Sequence, residues 1–364
     1  MKLPSARWWA RFAVGLLWTP VAAEMFLRTF APVPMLPRYI QAGPLGIREN
    51  MPNQTYRHKT PEYTVEIRTN SIGLRADQEF SKEKPAGVKR IVVLGDSFGM
   101  GYGVNIEESS LGILERMLEE RTGCEIEVLN FSVSGFGPAE ELLVLEGIAL
   151  EYEPDLVIQY YYTNDPTDDL RANLFALQDG ELVRASATYL PAVKTREYLF
   201  SFAAYRWLAG ESHLYNLARD RAGGLAKKWL AQIRSLLSPT AARRTASDSN
   251  EDGDRIIGPS PAQELTLATL ARMRESTEAR GAEFLVMSIP VRQARALFSD
   301  SFPFEATHKL PVISPIERFR SAGGEMLYWE RSHGHWTPLG CELVAEEIFS
   351  KLSEGNTIAR DSCE

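Results

Sequence analysis

From Arg90 onward the apolar and polar positions alternate between a strand period and a helix period. Ile91-Val-Val-Leu94 is a short apolar run that stops at Gly95, the pattern of a parallel strand buried on both faces. A helix is predicted over about 106–121, with Leu111, Leu114 and Leu118 on one face. Glu125-Ile-Glu-Val-Leu129 and Leu156-Val-Ile-Gln-Tyr160 read as the next two strands. Pro138 opens the helix between them, because a first helical turn needs no proline N–H. A helix from Glu264 to about Glu278 leads into a fourth strand, Glu283-Phe-Leu-Val-Met287, and Glu325-Met-Leu-Tyr328 reads as the fifth. Thr337 and Pro338 supply the N-cap and first residue of a last helix. Strands that alternate with helices predict an α/β fold with a parallel sheet covered on both faces.

The flanking pattern differs. Residues 1–30 read as a membrane anchor or signal segment. Lys2, Arg7 and Arg11 precede a mostly apolar run from Phe12 to Phe30, broken by Pro20, Glu24 and Arg28. A cleaved signal peptide would use Val21-Ala22-Ala23 as its small-residue site. The run outlasts an ordinary signal core, which favours a single-pass anchor in the inner membrane. Either way, positive charge ahead of the segment directs the rest of the chain to the periplasmic or extracytoplasmic side.

Residues 31–85 read as a linker and a short β region. The stretch 31 to about 60 is rich in Pro, Gly and Asn. Tyr63-Thr-Val-Glu-Ile-Arg-Thr69 alternates as a half-buried strand does, and a turn follows at Asn70–Gly73. The catalytic domain is expected over 86–355, with a helical insertion at 170–260. Tyr198, Phe200, Phe202, Tyr205 and Trp207 make that insertion aromatic. A lid or membrane-facing helix is one reading; a helical hairpin packed on the core is favoured, because Gly223-Gly224 weakens a continuous surface helix. The polar stretch 238–255 is predicted to be disordered.

Composition narrows the partners. Net charge is −8 over 364 residues, so no basic bias points to nucleic acid. Three cysteines, Cys124, Cys341 and Cys363, fit no zinc or redox spacing. Cys124 and Cys341 read as buried thiols. His333 and His335, with no nearby Cys or Asp, are too few for a metal site. No metal and no cofactor is expected.

The chemistry gathers where strands end. Gly95-Asp96-Ser97 closes the first strand, at the sheet edge where open α/β folds bind ligands. The turn after the second strand holds Gly135, and Asn164 follows the third. His335, just before the last helix, is the proton acceptor that a serine needs. All four should meet at one edge. The N–H groups of Ser97 and Gly135 and the Asn164 amide would then form an oxyanion hole.

These blocks resemble the SGNH/GDSL hydrolase family, in its membrane-associated bacterial branch. They stand here as Gly95-Asp-Ser-Phe-Gly99, the turn holding Gly135, Tyr162-Thr-Asn164-Asp165, and His333-Gly-His335-Trp-Thr-Pro-Leu-Gly340. The similarity runs over about 63–353, including Asn70-Ser-Ile-Gly-Leu-Arg75. It implies a three-layer αβα sandwich on a parallel, flavodoxin-like five-stranded sheet. It also implies ester hydrolysis through an acyl-serine, without metal, on a small-molecule or glycan ester. Two positions depart from the family. Tyr162 replaces the usual Gly of the third block. The usual Asp two or three residues before the histidine is replaced by His333 and Ser332. Glu330 is the expected substitute; a Ser–His dyad is the other option. Two further readings are an O-acyltransferase acting on exported polysaccharide and a non-catalytic carbohydrate-binding relative.

Overall fold

A computed structural model describes residues 5–33, 39–190, 195, 198–219, 221–222, 259–294, 297–303, 310–323, 326–332 and 334–354. The chain divides into two compact units. One comprises Met1–Leu36, Lys59–Pro61 and Leu199–Ile257; the other comprises Pro37–His58, Glu62–Tyr198 and Gly258–Glu364.

The larger unit is built on five strands: β1 (Lys89–Leu94), β2 (Ile126–Asn130), β3 (Leu156–Tyr161), β4 (Glu283–Ser288) and β5 (Val312–Ile313). All pairings are parallel and the order is β2-β1-β3-β4-β5. That is the doubly wound order expected of a flavodoxin-like sheet. Apolar residues fill both faces because both are covered. Ile91, Val93, Ile158 and Met287 pack with Leu111, Leu114 and Leu118 of α1 (Ser110–Thr122) and with Val344 and Ile348 of the last helix, Pro338–Glu354. Val92, Leu94, Val157 and Val286 pack the opposite way. They meet Leu142 and Leu145 of α2 (Pro138–Gly147) and Leu267, Leu270 and Met273 of the helix Pro261–Glu278. Alternate residues of one strand thus feed two cores, which makes three layers.

Local chemistry sets the element ends. The predicted 106–121 helix is split: Ile106–Glu108 forms a 3-10 turn, and Ser109 then caps α1 by accepting the Gly112 N–H at 3.1 Å. The fifth strand differs from expectation. It is Val312–Ile313; of the expected 325–328, residue 325 lies outside the described residues and Tyr328 makes an isolated bridge to Trp336. Two residues are too few to leave a periodic trace in sequence. The stretch 31–60, read as a linker, carries structure. Ile40–Ala42 pairs antiparallel with Arg48–Asn50, and Thr55–Lys59 pairs with Thr64–Arg68. Within the expected insertion, Phe175–Gln178 and Glu181–Arg184 form a hairpin of the larger unit. Cys124 is disulfide-bonded, which corrects its reading as a thiol; Cys341 is free and buried. Cys363 lies outside the described residues, as do His333, Gly223-Gly224 and 238–255.

In the smaller unit, the segment read as an anchor is the helix Ala6–Phe30. Among the described residues, no helix is long and apolar enough to cross a membrane. The charges that interrupt the run are engaged in protein contacts. Glu24 accepts hydrogen bonds from Ser212 Oγ and from the His213 and Leu214 N–H groups at 2.8–3.0 Å, and it pairs with Arg28. Burial pushes its carboxyl up, but the Leu214 and His213 donors outweigh that and take it to about 2.

Candidate active site

Ser97 stands two residues past Gly95 at the carboxyl end of β1. The chain turns there against β3, and a Cβ on Gly95 would come within 2.9 Å of the Tyr160 Cβ. The turn is held from inside. Buried Asp96 accepts the Phe98 N–H at 2.7 Å, and burial raises its carboxyl to about 7. Arg75 reaches the following loop. Its guanidinium is buried and donates to the carbonyls of Met100, Gly101 and Val104 at 2.5–2.6 Å. Desolvation lowers its pKa to about 10, which leaves it charged at neutral pH.

His335 arrives from the other end of the chain. Its carbonyl accepts the Trp329 N–H at 2.8 Å, and the Trp329 indole donates to Gly103 O at 3.1 Å. The histidine segment is thereby tied to the loop that follows Ser97. Phe98 and Tyr102 flank the imidazole, each with its ring centroid 4.8 Å away. The result is a contact between His335 Nε2 and Ser97 Oγ at 2.7 Å. That geometry lets a neutral imidazole accept the hydroxyl proton.

Gly135 lies in the β2–α2 turn at φ +81°, where a side chain would be strained. Arg48 fixes it by donating to its carbonyl at 2.6 Å. Neither the Ser97 N–H nor the Gly135 N–H finds an acceptor among the described residues. Asn164 begins the helix α3 (Asp165–Ala172) and donates through Nδ2 to Asp168 at 2.6 Å. Glu330 goes elsewhere: its carboxylate is two-thirds exposed and faces Arg292 at 3.9 Å.

Several residues at the site had no sequence signal. Arg48 sits in a stretch read as linker, yet it salt-bridges Glu140 at 3.6 Å and bonds the Tyr189 hydroxyl at 3.1 Å. A cleft beside Gly135 is lined by Arg48, Glu140, Asp168, Arg171 and Tyr189. Asn50 donates to Ser132 O at 3.1 Å and helps to hold the Gly135 turn. Among the described residues, no group of side chains has the makeup of a metal site.

No family model matches the sequence, and no curated protein does. Solved structures do. TesA is similar at 16% identity and TM-score 0.39, over 73% of this chain and 99% of that one. A lipase/acylhydrolase from Enterococcus faecalis is similar at 15% identity and TM-score 0.38, over 73% and 96%. The esterase EstA from Pseudoalteromonas sp. is similar at 13% identity and TM-score 0.37, over 73% and 97%. With identities and TM-scores this low, function has to be read from the chain's own side chains.

Proposed function

We propose that this chain is a serine ester hydrolase of the SGNH/GDSL kind. The observation that carries the reading is the 2.7 Å contact between Ser97 Oγ and His335 Nε2 at the carboxyl edge of the sheet. His335 takes the hydroxyl proton as Ser97 Oγ attacks the acyl carbon. The same proton goes to the departing alkoxide, and an acyl-serine is left. Water, deprotonated by His335, then releases the acid and restores the serine. The N–H groups of Ser97 and Gly135, with the Asn164 amide, receive the oxyanion.

The charged and phenolic lining of the cleft beside Gly135 supports a polar alcohol part, such as a sugar, over a long lipid chain. An extracytoplasmic location is part of the proposal. The charge order at the N-terminus and the disulfide-bonded Cys124 support it. Membrane attachment is supported by the exposed Trp18, Val21, Met25, Phe26 and Phe30 on the first helix. Ser97→Ala should abolish hydrolysis of acetylated sugars and p-nitrophenyl acetate, and also labelling by a fluorophosphonate. Equal labelling of mutant and parent would sink the assignment. The protein should sediment with membranes after a high-salt wash and be digested by protease added outside the cytoplasm. Recovery in the cytosolic fraction would remove the location from the proposal.

A further inference from the structure

We infer that Glu62 is a positioning residue for His335, holding the segment 330–332 that leads into it and fixing a carboxylate charge on that segment.

The residue lies just ahead of the strand Thr64–Arg68, some 270 positions before the histidine segment, so only the fold brings them together. Its two carboxylate oxygens are used separately. Oε1 accepts the Glu330 N–H at 3.0 Å and Oε2 accepts the Arg331 N–H at 2.7 Å. The Ser332 hydroxyl bonds the same carboxylate. Three consecutive residues of one segment thus converge on one anion. Ser332 is fully buried. It stands three residues before His335, where the resemblance places an aspartate. The carboxylate therefore anchors the segment that leads into His335.

The charge is present at working pH. Burial acts to raise the Glu62 carboxyl, but the donors from Ser332, Arg331 and Glu330 outweigh it and lower it below the ordinary range. The position also answers an electrostatic need. His335 precedes the helix Pro338–Glu354, whose N-terminus carries partial positive charge and disfavours imidazolium. A fixed carboxylate on the same segment offsets it. Among the described residues, other titratable or charged groups also face the pair. Arg331 attracts Glu62, Tyr63 adjoins it, and Glu330 is paired with Arg292. Tyr102 lies against the imidazole, with His58 behind it, and Asp96 adjoins Ser97.

The inference rests on the Ser97–His335 reading, and the test separates the two. The readout is the rate of Ser97 labelling by a fluorophosphonate against pH, in the full-length protein. Glu62→Gln keeps size and removes charge. It should slow labelling by about 10-fold or more, short of the ~10⁴-fold cost of losing a direct triad acid. The acid limb should move to lower pH by about half a unit or more, because imidazolium loses a favourable charge. Glu62→Asp should keep the limb near its original position. Ser332→Asp added to Glu62→Gln should recover rate and return the limb upward. A limb that stays put in Glu62→Gln, with or without a slower rate, overturns the inference. So does a loss that Ser332→Asp fails to recover. If Ser97→Ala labels as the parent does, the serine reading itself falls.

Discussion

At the scale of single residues, the site depends on where hydrogen atoms can go. In the proposed mechanism Ser97 loses its proton to His335 Nε2, which lies at 2.7 Å, and the nearby N–H groups stay open for an oxyanion. Gly135 would serve the second need. At φ +81°, an alanine would be strained by about 1 kcal/mol, and its Cβ would come within 3.3 Å of the Arg48 guanidinium. Gly135→Ala should therefore lower kcat, by up to the ~10²-fold that loss of one oxyanion donor costs, with KM little changed. Steady-state kinetics on p-nitrophenyl acetate check this. His335→Ala should remove turnover altogether, and a variant that keeps the parent rate would exclude the imidazole as base. Ser97, His335, Gly135 and Asn164 could be picked from sequence as candidates because each follows a strand or opens a helix in a fixed order, and the fold joins Ser97 to His335 directly. Glu62 and Arg48 could not. Their partners lie far along the chain, so no local pattern pairs them.

At the scale of elements, connections between loops decide the order of the site. Arg75, on the turn after Thr64–Arg68, donates to three carbonyls of the loop that follows Ser97. Its worth lies in satisfying carbonyls that would otherwise be buried without donors. Arg75→Met should cost roughly 3 kcal/mol or more of stability, as loss of charged hydrogen bonds in a buried setting does. Urea denaturation should show the loss as a lower midpoint, and kcat should fall with it. An unchanged midpoint would mean that water replaces the guanidinium. The turn itself explains why the sequence Asn70-Ser-Ile-Gly-Leu-Arg75 is useful. Asn70 Oδ1 accepts the Ile72 and Leu74 N–H groups at 3.2 and 3.0 Å, which aims Arg75 inward.

At the scale of the molecule, buried carboxylates gather between the sheet and the helices behind the site. Asp169 accepts the Ala139 N–H at 2.8 Å and the Thr266 hydroxyl, so it ties α2 and α3 to the helix Pro261–Glu278. Desolvation raises it to about 7 despite those donors. Asp165 is pushed up as well, by burial and by the Glu141 charge, and Glu141 by burial and by Asp96. The folded chain thus keeps protons that the unfolded chain releases above pH ~4. The stability from the protonated Asp169 is complete below that pH and is lost as pH rises toward about 7. Asp169→Asn keeps an acceptor for Ala139 and cannot ionise. Its thermal midpoint should fall less than that of the parent between pH 5 and pH 8. Parallel curves would show that Asp169 does not titrate in this window. Glu24 works with the opposite sign: its depressed pKa adds stability above pH ~4 that is lost as pH falls toward about 2.

The sequence alone determined the alternation of strands and helices, because burial on both faces forces continuous apolar runs such as Ile91–Leu94. It also marked Ser97 and His335 as candidates, since each sits at a strand end or helix start that local pattern marks, and the fold brings the two together. The tertiary structure decided what local pattern cannot encode. A two-residue edge strand exists only because Val286 and Met287 offer it a partner. The folded hairpins of 40–68 are held by pairing, not by propensity. The carboxylate beneath the histidine segment comes from Glu62, not Glu330, because three convergent donors meet it there, while Glu330, though closer in sequence, turns toward Arg292 and solvent.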